Sequence, residues 1–250
     1  MNESGAAIYK IDVEVPPGTG GMSPQLSLVY DSRAGDSLVG WSLAGLSSIS
    51  RCPTTLAQHG LIDGVNFDNN DQFCLDGQLF VAVQGDYGKN ATIYRTENET
   101  FAKILSSGSA GSAPKSFKVW TKAGLIMEYG ATSDSRIEAQ GQNEVLVWAV
   151  NKITDTKGNY LTVSYKERNF NGEYYPTRID YTGNANANLT PYNSIRLSYE
   201  TRPDVTPKFV SGSAISMRQR LTHIKRWVTI WFVITAWNMS KQIQPITLTW

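Results

Sequence analysis

Short runs of alternating apolar and polar residues, separated by clusters of turn-forming residues, limit this chain to a β fold. In residues 9–15 the apolar side chains share one face and the charged ones share the other: Tyr9, Ile11, Val13 and Val15 against Lys10, Asp12 and Glu14. A period of two is typical of a half-buried strand. No stretch of about 12 residues or more has the 3.6-residue period of a helix. The sequence therefore predicts an all-β protein of antiparallel hairpins and sheets with no substantial helix.

Turn-rich segments place further strands in pairs. A second strand is predicted at residues 25–30, tight hairpins within residues 60–83, and one or two strands within residues 92–105. Three later hairpins are predicted at residues 116–121 with 125–129, 145–153 with 159–165, and 178–181 with 194–199. Residues 106–116 (SSGSAGSAPKS) are the best candidate for an internal break, although that length is still typical of a loop.

Two groups of residues are predicted to be structural. Pro16, Pro17, Gly18, Gly20 and Gly21 should end the first strand and force a tight reversal, because proline lacks a backbone donor and glycine tolerates positive φ. The second group is Gly40 with Trp41, read as a plug packed under a turn, together with Trp120 and Trp148 as anchors of packed layers.

Composition narrows the function classes. A net charge of +1 gives no electrostatic footprint for nucleic acid. The start of the chain has neither a basic nor an apolar region of the kind that a secretory signal needs, and no apolar stretch is long enough for a membrane-spanning helix. We expect Cys52 and Cys74 to be two free buried thiols, with one bridge as the alternative; beside only two histidines they do not suggest zinc.

Motifs for chemistry are few. The segment GWSLAG (residues 40–45) has one residue too many for a hydrolase nucleophile elbow, and neither histidine belongs to a motif. Gly18 to Gly21 read as a turn, since no Lys-Ser/Thr follows as in a phosphate loop. Carboxylates and aromatic residues would permit a glycosidase, but such a supply is common in β proteins. No cofactor is predicted.

Four aspartates are weak calcium candidates, because they cluster in one loop-rich region: Asp63, Asp68, Asp71 and Asp76. Their spacing fits no EF-hand loop, and aspartate is also a common turn residue.

Residues 226–250 break the pattern. Residues 227–238 (WVTIWFVITAWN) hold three tryptophans and no charge. A buried strand pair and an amphipathic membrane segment are alternatives. We favour the hypothesis that the reading frame has slipped near Arg226, because a shifted frame can encode an alternating apolar and charged peptide.

Several short sequence motifs, in order along the chain, resemble the N-terminal domain of the SpvB family. The motifs are IDVEVPPGTGGM (11–22), GWSLAGLSSISRCP (40–53), DGVNFD (63–68), FCLDG (73–77), FKVW (117–120), DTKGNY (155–160), YPTRIDYTG (175–183) and RPDV (202–205). The resemblance covers nearly the whole chain and implies one SpvB-type N-terminal structural domain over residues 1–225.

The resemblance implies a function without catalysis. Such domains open Salmonella virulence plasmid B proteins, toxin-complex B subunits and RHS-repeat toxins, where they form part of a β-shell that encloses or presents a C-terminal toxic domain. The expected partners are downstream RHS and propeller regions and other toxin-complex subunits, with no nucleic acid. The expected location is outside the producing cell. The ADP-ribosyltransferase of some family members is a separate domain that this sequence lacks. A carbohydrate-binding or cell-surface-binding module and a glycosidase-like enzyme are the alternatives.

Overall fold

The computed structural model describes residues 5–33, 40–205, 207–230 and 242–248, with the backbone alone for 229–230 and 242–248. Its first unit is a small antiparallel sheet in the order β1-β2-β3. The strands of this N-terminal sheet are β1 (Ile8–Val13), β2 (Leu26–Asp31) and β3 (Trp41–Ala44).

The second unit is a closed barrel of eight strands. Strands β4 to β10 pair with their neighbours in chain order, and β12 pairs with both β4 and β10, which closes the ring. The strands of this unit are β4 (Ser48–Cys52), β5 (Gln72–Leu75), β6 (Gln78–Gln84), β7 (Ile93–Thr96), β8 (Lys103–Ser107), β9 (Ser116–Trp120), β10 (Ile126–Tyr129), β11 (Arg136–Glu138), which pairs with β12 off the ring, and β12 (Val145–Thr154).

The third unit, the extension sheet, continues from β12 as an open antiparallel sheet. Its strands are β13 (Asn159–Arg168), β14 (Glu173–Asn184), β15 (Asn193–Thr201), β18 (Gln219–Ile230) and β19 (Gln242–Leu248); β16 (Lys208–Val210) and β17 (Ser213–Ile215) form a separate hairpin.

Helices are minor in the described residues. The one α-helix is the single turn α1 (Leu56–His59), and 3-10 turns lie at Thr19–Gly21, Ser133–Ser135 and Asn169–Asn171. The all-β prediction is therefore confirmed. Of the tight hairpins predicted within residues 60–83, one forms, from β5 and β6, and residues 60–71 contain no strand. The other predicted strands lie within one to a few residues of observed ones.

Aromatic side chains fill the barrel. Trp148 is fully buried, and its indole N–H donates to the carbonyl of Pro114 at 3.0 Å. The rings of Phe73 and Phe117 meet it edge-on at centroid distances of 5.4 and 5.2 Å. Edge-to-face contacts of this kind stabilise a core beyond the area they bury. The barrel interior is thus a packed aromatic core.

A buried arginine joins the barrel to the loop after α1. The Arg51 guanidinium donates to Asp71 at 2.7 Å and to Glu144 at 3.0 Å. Its remaining N–H groups reach Ser112 and the carbonyls of Asp68 and Val145. Since a buried charge without partners is costly, this complete set of bonds is what permits arginine inside the fold.

The expectation of free thiols is wrong. Cys52 and Cys74 are disulfide-bonded, with Cα atoms 6.0 Å apart. The two residues lie diagonally across β4 and β5, because Ser50 pairs with Cys74 and Cys52 pairs with Gln72. Sequence spacing could not reveal this register, which alone brings the sulfur atoms together.

The predicted tail lies mostly outside the described residues. Residue 226 falls inside β18, residues 231–241 are outside the description, and the frame-slip hypothesis stays a hypothesis. The internal break at residues 106–116 also stays a prediction; these residues include the connection between β8 and β9, which pair with each other.

Candidate assembly site

An apolar cleft of about 280 Å³ opens between β3 and the extension sheet, and we name it the aromatic cleft. Leu43, Leu46, Leu221 and Met217 provide apolar lining. Its aromatic lining comes from Trp41, Tyr165, Tyr174, Tyr175 and Tyr199. Large aromatic residues bury much apolar area at little entropic cost, so such a cleft is suited to holding an apolar side chain.

One edge of β3 borders the aromatic cleft. Trp41, Ser42 and Leu43 line it from the strand, and residues 46–48 line it just beyond. Within the described residues, β3 pairs only with β2, so its other edge has no partner strand. An unpaired edge can accept an additional strand through main-chain hydrogen bonds, while an adjacent pocket takes alternate side chains.

A glycine fixes the position of this edge. Gly45 follows β3 directly and has φ of +105°, a conformation that side-chain-bearing residues rarely adopt. A Cβ atom there would lie 1.9 Å from the carbonyl oxygen of Gln25. The chain can therefore turn sharply at this point and pass from the N-terminal sheet into the barrel.

Trp41 lies between two clefts. Its ring meets Tyr9 edge-on at 6.2 Å and lies tilted against Tyr30 at 5.5 Å. It lines the aromatic cleft and also a second cleft of about 270 Å³, whose lining includes Ile11 and Leu28. Gly40, directly before it, is buried. The half-buried indole thus joins the N-terminal sheet to the apolar surface of the extension sheet.

The tyrosine hydroxyls of the aromatic cleft serve the fold. Tyr165 donates to the carbonyl of Val150 at 2.7 Å, and Tyr199 donates to that of Pro176 at 2.7 Å. Tyr175 donates to the carboxylate of Glu173. Burial raises the pKa of all three phenols above the ordinary value. At neutral pH these hydroxyls are therefore uncharged, and each donates its hydrogen to an acceptor within the protein.

Glu173 is a second buried charge held by full hydrogen bonding. Its carboxylate accepts from the Arg218 backbone N–H at 2.6 Å and from the Asn171 amide at 3.2 Å, besides Tyr175. Arg168 lies 3.6 Å away. Like Arg51, this residue stabilises chain connections.

The predicted reversal docks on the extension sheet. The 3-10 turn contains Gly20 with φ of +62°, and the hydroxyl of Thr19 donates to the carbonyl of Thr182 at 3.0 Å. Gly21 is the last residue of this turn, and Pro16, Pro17 and Gly18 lie just before it. Pro17 and Gly21 are exposed. The N-terminal sheet is thereby held against a strand more than 160 positions later in the chain.

The four candidate calcium ligands each bind a different partner within the protein. Asp71 binds Arg51, and Asp76 accepts from Ser47 at 2.6 Å. Asp68 accepts from the Asn70 backbone at 2.7 Å, while Asp63 accepts from the Asn66 amide at 3.3 Å. In the part of the chain that the structure describes, no three His, Cys, Asp or Glu side chains are grouped to hold a metal ion.

The predicted tryptophans occupy different environments. Trp148 is central to the barrel, while Trp120 is half-buried on the outside, where Lys103 lies over its ring at 5.4 Å.

For the described residues, the helices are too short and polar for any to span a membrane.

Sequence reasoning missed two features. The cleft tyrosines were not predicted, although Tyr174-Tyr175 is a visible pair; the sequence does not say which cavity a strand face meets. Arg51 was also missed, although its alternation with Ile49 on β4 places it on the buried face.

Comparison with solved structures shows a shared fold. Over 96% of this chain and 98% of the other, the fold matches the N-terminal domain of effector protein SpvB from Salmonella typhimurium strain LT2, with a TM-score of 0.67 and 18% identity. A Tc holotoxin pore from Photorhabdus luminescens matches 96% of this chain with a TM-score of 0.73 and 16% identity. The TcdB2-TccC3 crystal structure matches 90% with a TM-score of 0.66 and 16% identity.

The chain spans 14% of the length of each of those two toxin chains. None of the curated proteins compared with it matches. The family model described as "SpvB: Salmonella virulence plasmid 65kDa B protein" matches residues 1–192, more than half of the sequence. The chain therefore belongs to the SpvB family.

Proposed function

We propose that this chain is a non-catalytic structural module at the N-terminal end of a large bacterial toxin, where it helps to build the β-shell around a C-terminal toxic domain. The observation that carries the proposal is the edge of β3 beside the aromatic cleft, which has no partner strand among the described residues. A further strand of the same polypeptide or of another toxin subunit would pair with this edge and insert an apolar side chain into the cleft. RHS and propeller regions are the proposed sources of that strand.

The chemistry of the cleft supports a role in assembly. Its tyrosines have raised pKa values and internal hydrogen-bond acceptors. Arg202, at its lining, forms an ion pair with Asp204 at 2.8 Å. A general acid or base needs a pKa near the working pH, and burial moves the pKa of these three tyrosines further from it.

The disulfide supports a location outside the producing cell. Disulfides persist in oxidising compartments and are rare in a reducing cytoplasm. The Cys52–Cys74 bond is thus consistent with a protein made in the bacterial cytoplasm and then exported.

Association of the full 250-residue chain tests the assembly role. With the β3 edge open, we expect the chain alone to associate or aggregate in analytical ultracentrifugation. Leu43→Lys places a charge at the cleft and should lower that association. The matched control, Ile62→Lys, changes a side chain that is 80% exposed and does not line the cleft; it should leave association unchanged. A monodisperse, cooperatively melting wild-type monomer would count against the proposal.

A carbohydrate-binding module is the second candidate, favoured by the half-buried indole of Trp41 next to the polar side chains of Gln219 and Arg202. Sugar rings stack on such aromatic surfaces. Glycan-array binding that Trp41→Ala abolishes would support this function over the assembly role.

A further inference from the structure

The outer surface of the barrel carries a group of lysines on three strands and one adjoining turn. They point outward, because the residues between them on β8 and β9, including Ile104, Phe117 and Val119, are buried inside the barrel. We name this surface the lysine face and define it by Lys103, Lys118, Lys122 and Lys152.

Aromatic rings hold three of these four ammonium groups. An ammonium over an aromatic ring is attracted by the ring's negative face and is thereby restrained. The pairs are Lys103 over Trp120 at 5.4 Å, Lys122 over Phe101 at 4.7 Å and Lys152 over Tyr160 at 4.9 Å. Ordering these side chains in advance lowers the entropy that a ligand must offset when it binds them.

The protein itself places a carboxylate on this face. Glu128 on β10 pairs across the strands with Lys118 on one side and with Lys152 on the other. Its carboxylate lies 3.3 Å from the Lys118 ammonium. A carboxylate on a neighbouring strand therefore fits the spacing of the lysines, since adjacent strands are about 4.8 Å apart.

The charge of the lysine face is opposite to that of its surroundings. The face carries four lysines and one glutamate, Glu128, a net charge of +3, whereas residues 60–100 contain seven acidic and two basic residues, a net charge of −5. A local positive surface in an otherwise acidic region attracts a short anionic segment at close range, while the wider acidic field opposes long polyanions.

We propose that the lysine face binds an acidic, extended segment of another polypeptide, with its carboxylates on the four ammonium groups. Carboxylates are the ligands that the face already accepts from Glu128. Stacking of bases or sugars fits less well, because a lysine ammonium already lies over one face of each of the three aromatic rings. This inference does not rest on the β3 edge, which belongs to a different sheet.

Binding of a labelled acidic peptide to the full chain tests this proposal. The chain is immobilised at low density, and the probe is an eight-residue peptide of alternating Glu and Val, with the Gln/Val peptide as control. We expect salt-sensitive binding of the acidic peptide alone. The variant Lys103→Gln/Lys118→Gln/Lys122→Gln should weaken binding at least tenfold, because it removes three of the four charges.

The matched control removes three exposed lysines elsewhere: Lys10→Gln, Lys166→Gln and Lys208→Gln. It has the same net charge as the face variant and should change binding less than twofold. Lys103→Arg/Lys118→Arg/Lys122→Arg should retain binding, which separates loss of charge from loss of fold. Equal weakening in both glutamine variants, or no binding by the wild type, overturns the proposal. Tighter binding of heparin or of a single-stranded oligonucleotide overturns it in favour of a polyanion, and self-association through the face without peptide binding overturns it in favour of a second copy.

Discussion

The barrel and the extension sheet share the strand β12, but the barrel closes into a ring and the extension sheet does not. In the barrel, β10 returns to β12 and the ring closes, so that no barrel strand keeps a free edge along the closing path. Across residues 5–33, 40–205, 207–230 and 242–248, the extension sheet and the N-terminal sheet are open, and the aromatic cleft lies between them. Closure of the barrel pairs the backbone groups of its strands with one another and buries its apolar side chains. The open sheets leave apolar surface and a strand edge with which another strand can pair.

The largest expected effect compares two tryptophans. Trp148→Ala should lower the free energy of unfolding by about 3–5 kcal/mol, because it leaves a cavity in the packed barrel and removes the bond to Pro114. Trp41→Ala, in the open region, should cost about 1–2 kcal/mol, since that indole is only half-buried. Urea denaturation of both variants measures the difference; similar losses would refute the contrast between the two regions.

Nearly as large is the expected cost of removing the buried guanidinium. Arg51→Leu leaves Asp71 and the partner Glu144 without their cation, which should destabilise the barrel by about 3–5 kcal/mol. Replacing Arg51, Asp71 and Glu144 together with apolar residues should recover part of that loss, because it also removes the two carboxylates that would otherwise lack a cation. A single variant as stable as wild type in urea denaturation would contradict this account.

A smaller loss is expected from opening the disulfide. Cys52→Ser/Cys74→Ser should lower the free energy of unfolding by about 3 kcal/mol in the chain-entropy model, given the sequence separation of 22. Treatment of the wild type with a reducing agent should shift the thermal midpoint in the same direction. As a control, the same reducing agent should leave the thermal midpoint of the doubly substituted variant unchanged.

The smallest effect concerns alkaline pH. Burial raises the pKa of Tyr165 and Tyr199 above the ordinary value of 10.0. Above pH 10 the folded state therefore holds more protons than the unfolded state. The tyrosine contribution to stability is complete below that pH and is lost as the pH rises toward the folded values. Absorbance of tyrosinate should rise together with unfolding; ionisation of the cleft tyrosines near pH 10 in the folded protein would contradict their burial.

Much of the fold could be predicted, and the reason lies in particular segments. Residues 9–15 alternate between apolar and polar side chains, and residues 145–153 and 159–165 flank a turn-forming segment; strands form in each of these regions. The disulfide could not be predicted, because it depends on the register of β4 against β5. The aromatic cleft could not either, since its lining comes from strands separated by more than 100 residues.

By itself, the sequence determined the strand periodicity, the turn positions and the family resemblance, because these depend on residues close together in the chain. The tertiary structure alone decided which strands close into a barrel, which strand edge is unpaired in the described part of the chain, and which lysines share a face with one carboxylate. Those properties depend on pairing between distant strands, and each cross-strand register is fixed by packing of the whole core rather than by any local pattern.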